Sequence, residues 1–223
     1  MRILNDPAHT SMSRPSVRHF LLVLLCATTV PALAQETVDV ALVTDVQGQV
    51  TRSTPQGQQT LPAFVKLQRS DKLALDKGRL QIVYFANGRQ EIWQGSGRIE
   101  ILDSESKAAG LPGAEVRTLP AIVVRQIART PSLDSQGRAG TVRLRSVPPV
   151  DAVMQLESSY RELRAQTPAN DLTPEIFLLS GLSGLYQSDR IDVVIKDLQR
   201  THPNDARVAD LARLYQLAPP TVR

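Results

Sequence analysis

The stretch from 73 to 102, LALDKGRLQIVYFANGRQEIWQGSGRIEIL, constrains this chain more than any other. Two runs rich in β-formers, Leu80–Phe85 and Arg89–Trp93, flank Ala86-Asn87-Gly88. Asn-Gly between apolar runs is a strong hairpin signal, because a two-residue primed turn needs positive φ at both central positions. A third run, Arg98–Leu102, follows Gly95-Ser96-Gly97, which reads as a second turn. The stretch therefore predicts a three-stranded antiparallel meander. Leu80, Ile82 and Tyr84 share one face, and Gln81, Val83 and Phe85 share the other. Both faces are partly apolar, so a second layer, such as another sheet, is expected over the second face.

The flanking segments extend the β reading. Val38–Val46 alternates weakly and suits a strand, and Gly48-Gln49-Val50-Thr51 suits a short one. Residues 53–60, STPQGQQT, read as a loop, as does the turn-rich 103–113. Residues 114–124 hold two short apolar pieces split by Pro120. Gly140–Ser146 alternates Val142 and Leu144 with Arg143 and Arg145, a half-buried strand with a basic outer face. Val147-Pro148-Pro149 marks a boundary, since proline cannot continue a ladder and restricts the residue before it.

Beyond Pro149 the apolar period changes from two to 3.6. Val153, Leu156, Tyr160 and Leu163 form one helical stripe. Thr173-Pro174 predicts a helix start with Thr173 as cap, and Ile176, Leu179, Leu182 and Tyr186 follow on one face. Ile191, Val194, Ile195 and Leu198 make a third stripe. Val208, Leu211, Ala212 and Tyr215 make a fourth, after a cap at Asn204 or Asp205. Short connections predict antiparallel neighbours. Glycine and serine at 180, 181, 183 and 184 would let a neighbouring helix approach closely.

Residues 1–34 have the form of a signal peptide: Arg14 and Arg18, then an apolar run from Phe20, then Ala32-Leu33-Ala34. The apolar run is shorter than a membrane-spanning helix needs. This predicts export to the periplasm or beyond, with no transmembrane segment after cleavage. Arg2, Arg14, Arg18 and Asp6 fall within the signal and carry two of the chain's net four positive charges. The only cysteine, Cys26, falls there too, so the mature chain has no disulfide or thiolate metal site. His202 is the one histidine left, too few for a triad or a zinc centre, and its place at a helix end suits capping. There is no Gly-Lys-Ser/Thr phosphate loop, and Ser180-Gly181-Leu182-Ser183-Gly184 lies within a helix pattern and is no nucleophile elbow. No catalytic residue, metal or cofactor is expected.

Two resemblances add to this. The segment Ser70-Asp71-Lys72-Leu73, Leu80–Phe85, Asn87-Gly88-Arg89 and Glu91-Ile92-Trp93, with Gly48-Gln49-Val50 ahead of it, resembles a FecR-like domain over about residues 38–146. Gly184-Leu185-Tyr186-Gln187-Ser188-Asp189-Arg190 and Thr201-His202-Pro203-Asn204-Asp205 look like one degenerate tetratricopeptide repeat. Such a repeat cannot bury its faces alone, so Val150–Gln166 is expected to supply a further helix. After the signal peptide read at 1–34, the resemblances imply an α+β protein: an N-terminal all-β FecR-like domain at 35–147, and a small α-helical tetratricopeptide-like domain at 148–223. They also imply an envelope setting, with peptide or protein binding.

The residues themselves leave three functions open. The first is a non-enzymatic binding or scaffolding protein with an envelope protein as partner, through the helical groove and Arg143/Arg145. Residues 117–145 carry six arginines against Asp134, whereas 151–217 hold ten acids and seven bases. The basic stretch therefore suits an anionic cell-wall polymer, lipid headgroups, an acidic partner or the chain's own helices. The second is glycan or peptidoglycan binding through Trp93 and nearby arginines such as Arg89. The third is an envelope hydrolase using Glu91 and Glu100 as paired carboxylates. No nucleic-acid recognition motif is present.

Overall fold

The computed structural model describes residues 38–135 and 150–216. The signal peptide expected at 1–34 with Cys26, the strand expected at 140–146 with Arg143 and Arg145, and the boundary expected at Pro148-Pro149 lie outside the described residues.

An antiparallel sheet comes first and five helices follow, an α+β arrangement. The strands are β1 (Asp39–Thr54), β2 (Gly57–Thr60), β3 (Lys66–Gln68), β4 (Lys72–Tyr84), β5 (Arg89–Ile101), β6 (Ser106–Ala109) and β7 (Glu115–Thr118). Their order is β2-β1-β4-β5-β6, with β3 also pairing to β1 and β7 to β5. The helices are α1 (Ala121–Ile127), α2 (Val150–Gln166), α3 (Thr173–Gly184), α4 (Ser188–Thr201) and α5 (Ala206–Gln216).

The hairpin at Asn87-Gly88 is present, but its turn is longer than the two-residue primed form. Gly88 N–H donates to the Tyr84 carbonyl (3.1 Å), and of the two only Gly88 has positive φ, at 71°. Asn87 acts through its side chain, which accepts from Arg89 N–H (3.0 Å) and donates to the Ser104 carbonyl (3.0 Å).

The expected meander is two long strands instead of three short ones. Gly95-Ser96-Gly97 is not a turn: it lies inside β5, and Gly95 pairs with Gly78 of β4. One extra residue in β4 disturbs the register towards both β1 and β5 at this level. Lys77 there takes φ 48°, and its N–H is held by Ser96 Oγ (2.8 Å). Gly48 lies against the same point, where a Cβ would stand 3.0 Å from Gly78 Cα. The glycines therefore mark a bulge crossing the sheet, not chain reversals. The loop expected at 53–60 is the β1–β2 hairpin, that at 103–113 contains β6, and the second apolar piece after Pro120 is helix α1.

Alternation along the strands divides the core. Ala41, Val43, Leu80, Ile82, Tyr84, Trp93, Ile99 and Ile101 enter a cluster belonging to the β part. Leu42 and Val83, on the opposite face, and Phe64 of the β2–β3 connection join Ile176, Phe177, Ile195, Leu211 and Tyr215. The layer over that second face is thus helical, not another sheet, and strands and helices share a core. The α2, α4 and α5 stripes are buried or half-buried as the 3.6 period predicts. Helix α3 differs, since Thr173 to Leu182 are buried all round. It is the central helix, packed by the other helices and the sheet. Gly181 permits this: a Cβ there would fall 2.4 Å from Leu156 Cδ1 of α2. Among the described residues, no helix is long and apolar enough to cross a membrane.

Candidate functional site

Helices α1 and α2 both pack on α3 and leave a groove between them. The α2 wall carries Ala152, Gln155, Leu156, Ser159, Glu162, Leu163 and Gln166, which recur at helical spacing on one face. The opposite wall is α1 and the end of β7, with Ile122 in the middle and 51% exposed. Two adjoining hollows of about 320 and 280 Å³ make up the groove, and Ile122 and Ser159 line both.

The larger hollow reaches down to Gln90, Asp171 and Thr173, where the sheet meets the start of α3. These residues and Gln81 form a buried polar network. Asp171 Oδ1 accepts from Gln81 Nε2 (3.0 Å), Thr173 N–H (3.0 Å) and Thr173 Oγ1 (2.6 Å). The Gln90 amide donates to Thr173 Oγ1 (3.3 Å) and reaches Asp171 Oδ2 at 3.5 Å. The helix start is therefore capped by the Asp171 carboxylate, not by the expected Thr173 hydroxyl, and Pro174 stands in the first turn. Arg164 of α2 fixes the neighbouring loop by donating to the Asp171 carbonyl (2.9 Å), to the Thr167 carbonyl (2.8 Å) and to Glu175 (3.0 Å). Tyr160 donates to Glu175 as well (3.1 Å), and burial next to that carboxylate pushes its phenol up to about 12.

The residues singled out in the sequence lie elsewhere. Trp93 is 6% exposed, within the β core, and its indole N–H donates to Glu91 Oε2 (3.0 Å). A ring so enclosed has no open face for a sugar, so the expected stacking role does not hold. Arg89 is half-buried and donates to Glu91 Oε1 (2.6 Å), which holds its guanidinium more firmly in the charged form. Glu91 is fully buried and also accepts from Ser106 N–H (3.3 Å). Glu100 is nine positions along β5 from Glu91, about 30 Å at ~3.3 Å per residue. A glycosidase pair needs about 5–9.5 Å. These two cannot act together on one bond.

Other singled-out residues have structural roles. Asp71 accepts from Gln68 N–H (2.8 Å) and pairs with Arg52 (2.9 Å), which staples the β3–β4 turn. His202 is the C-cap of α4, as its place at a helix end predicts: its backbone N–H donates to the Leu198 carbonyl (2.8 Å), while its Nδ1 meets the Thr201 hydroxyl (3.0 Å). Asp205 caps α5 through Arg207 N–H, and its bonds to Arg207 hold its carboxyl below the usual range. Arg117 pairs with Glu115 and Arg129 with Gln126, each within its own segment. Among the described residues no group of three or more His, Cys, Asp or Glu is placed to hold a metal ion.

Gln81, Gln90 and Asp171 were missed as a group. The available signal was Gln81, a polar residue on a strand face otherwise made of Val83 and Phe85. Compared with models of protein families, with curated proteins and with solved structures, the chain finds no significant match.

Proposed function

We propose that this chain is a non-enzymatic binding or scaffolding protein of the cell envelope, which docks another protein between its helices. An antiparallel sheet followed by helices supports a FecR-like part joined to a tetratricopeptide-like part. The buried carboxylates Asp45, Glu91 and Glu175 are each tied to an arginine, which suits bracing better than proton transfer. The observation that carries the proposal is the α1–α2 groove, with apolar Ile122 exposed in its wall and a polar floor. A helix or extended segment in such a groove would use both.

Photocrosslinking in the native envelope tests this. A benzoylphenylalanine at Ile122 of the full chain should give an adduct of defined mass. The same residue at Val193, exposed on α4, should not. No adduct at Ile122, or turnover of a wall-derived substrate by the purified chain, would overturn the proposal.

A second reading has one observation in its favour. Lys72, Arg98 and Lys107 are exposed around a hollow of about 430 Å³ at the far end of the sheet. Such a surface suits an anionic cell-wall polymer or lipid headgroups. Sedimentation with purified cell wall, lost in a triple alanine variant, would support it, and failure to co-pellet would remove it.

A further inference from the structure

We infer that the groove recognises a cationic side chain, a lysine or arginine presented by the docked protein, and seats it on Asp171. This rests on the docking proposal and gives the partner its chemistry.

The two oxygens of Asp171 are unequal. Oδ1 takes three donors at 2.6–3.0 Å, whereas Oδ2 has one long contact, Gln90 Nε2 at 3.5 Å. The residue is only 8% exposed, so bulk water does little to solvate the second oxygen. Among the described residues no cation lies within ion-pair distance of this carboxylate. Arg164, the nearest arginine in the chain's own loop, is directed to Glu175 and to backbone carbonyls, including that of Asp171 itself. The positive end of α3 offsets part of the charge, but its first N–H is already given to Oδ1.

The approach to Asp171 also favours a cation. Glu162 stands exposed on the groove wall, and the one arginine lining the hollow, Arg117, is paired with Glu115. The hollow of about 320 Å³ admits one long side chain. Leu119, Ile122 and Leu163 line it and suit an aliphatic stem, while the floor supplies acceptors for the charged head. An anion would meet two carboxylates, and a plain apolar side chain would leave Oδ2 with only its long contact to Gln90.

The test uses the full chain, isotopically labelled, with blocked tripeptides Gly-X-Gly in which X is lysine, arginine, norleucine or glutamate. The backbone amide resonances of Asp171 and Thr173 should shift saturably with the lysine and arginine peptides and stay still with the other two. Asp171→Asn should weaken the response about tenfold or more, in line with loss of a buried charge-assisted contact. Because Asp171→Asn also touches the α3 cap, Ser159→Phe provides a second variant. It closes the groove above the floor, and should abolish the response while the Thr173 resonance keeps its unliganded position.

Norleucine binding as well as lysine, or undiminished lysine binding by Asp171→Asn, would overturn the inference. The two proposals separate cleanly. An Ile122 adduct of unchanged yield in the Asp171→Asn chain would leave docking intact and remove the cation. Peptide binding without any adduct would do the reverse.

Discussion

Asp45 in the middle of β1 and Arg207 at the start of α5 are 162 residues apart in the chain, and their side chains meet at 2.9 Å. Arg79 of β4 reaches the other oxygen of the same carboxylate, whose side chain is 3% exposed. One carboxylate thus joins two neighbouring strands to the last helix. Loss of the carboxylate leaves Arg79 without its buried partner and Arg207 with Asp205 alone, and the two arginines would face each other. Asp45→Asn should therefore cost about 3 kcal/mol. For a chain of this size that is about 6–12 °C in Tm. Urea unfolding of Asp45→Asn, Arg207→Met and the double variant checks this. The double should cost less than the sum of the singles, because the second change removes one of the two facing positive charges.

Three tyrosines make stability depend on pH at the alkaline end. Burial raises the pKa of Tyr84, Tyr160 and Tyr215 above the ordinary value of about 10. Each phenol holds its proton more tightly in the folded chain than in the unfolded one. The associated stability is complete below about pH 10, where both states are protonated. It falls as pH rises, because the unfolded chain then loses protons that the folded one keeps. Unfolding free energy measured from pH 8 to 11.5 should be flat at first and then decline. Tyr160→Phe, which removes the phenol pushed up to about 12 beside Glu175, should make the decline shallower. An unchanged slope would show that this phenol titrates alike in both states.

Local pattern was enough for some elements and not for others. The Leu80–Trp93 hairpin and the stripes of α2, α4 and α5 were legible because their periods are set within each segment. Gly95-Ser96-Gly97 has the local composition of a turn, and its place inside β5 depends on Gly78 of β4, a partner set by pairing rather than by neighbours. Ala121–Ile127 carries Ile122, Val123 and Val124 in succession, a β-branched run whose own preference is for a strand. It is helical because Val123 and Ile127 pack into the helical core and Val124 is buried beside Gly88 of the β4–β5 turn. Full burial of α3 was hidden for the same reason, since it depends on what surrounds the helix. The site was the least legible part. Gln81 stood out on its strand, but Asp171 lies 90 residues away from it and 81 from Gln90, and no short motif links them.

Gly181 should not tolerate a methyl group. In an exposed helix, alanine in place of glycine gains up to about 1 kcal/mol of helix propensity. Here the new Cβ would stand 2.4 and 2.6 Å from the two Leu156 methyls and 3.1 Å from Gln126 Nε2. Overpacking of this kind costs about 1–3 kcal/mol, so Gly181→Ala should be net destabilising. Leu156→Ala alone opens a cavity and also destabilises. Combined, the two changes should cost less than their sum, since the alanine methyl enters the space the leucine leaves. Thermal unfolding of the three variants measures the coupling. Strict additivity would mean that α2 and α3 do not approach as closely as Gly181 permits.

The sheet-to-helix network gives the last prediction, which separates its structural work from any ligand. Gln81 is 1% exposed and its amide donates to both Asp171 Oδ1 (3.0 Å) and Thr173 Oγ1 (3.2 Å). Gln81→Leu keeps most of the volume and removes both donors. The carboxylate and hydroxyl left behind are buried, so the change should cost about 1–3 kcal/mol. Thr173→Val removes the donor at 2.6 Å and the acceptor used by both glutamines, and should cost a similar amount. The effects should not add, because each change leaves the same Asp171 oxygen short of donors. Chemical denaturation of the single and double variants reads this directly. Hydrogen exchange adds a spatial check: the amides of the first turn of α3 should lose protection in Gln81→Leu, while those of β5 beyond Gly95 keep theirs. A uniform loss across the sheet would mean that Gln81 supports β4 itself rather than the seating of α3.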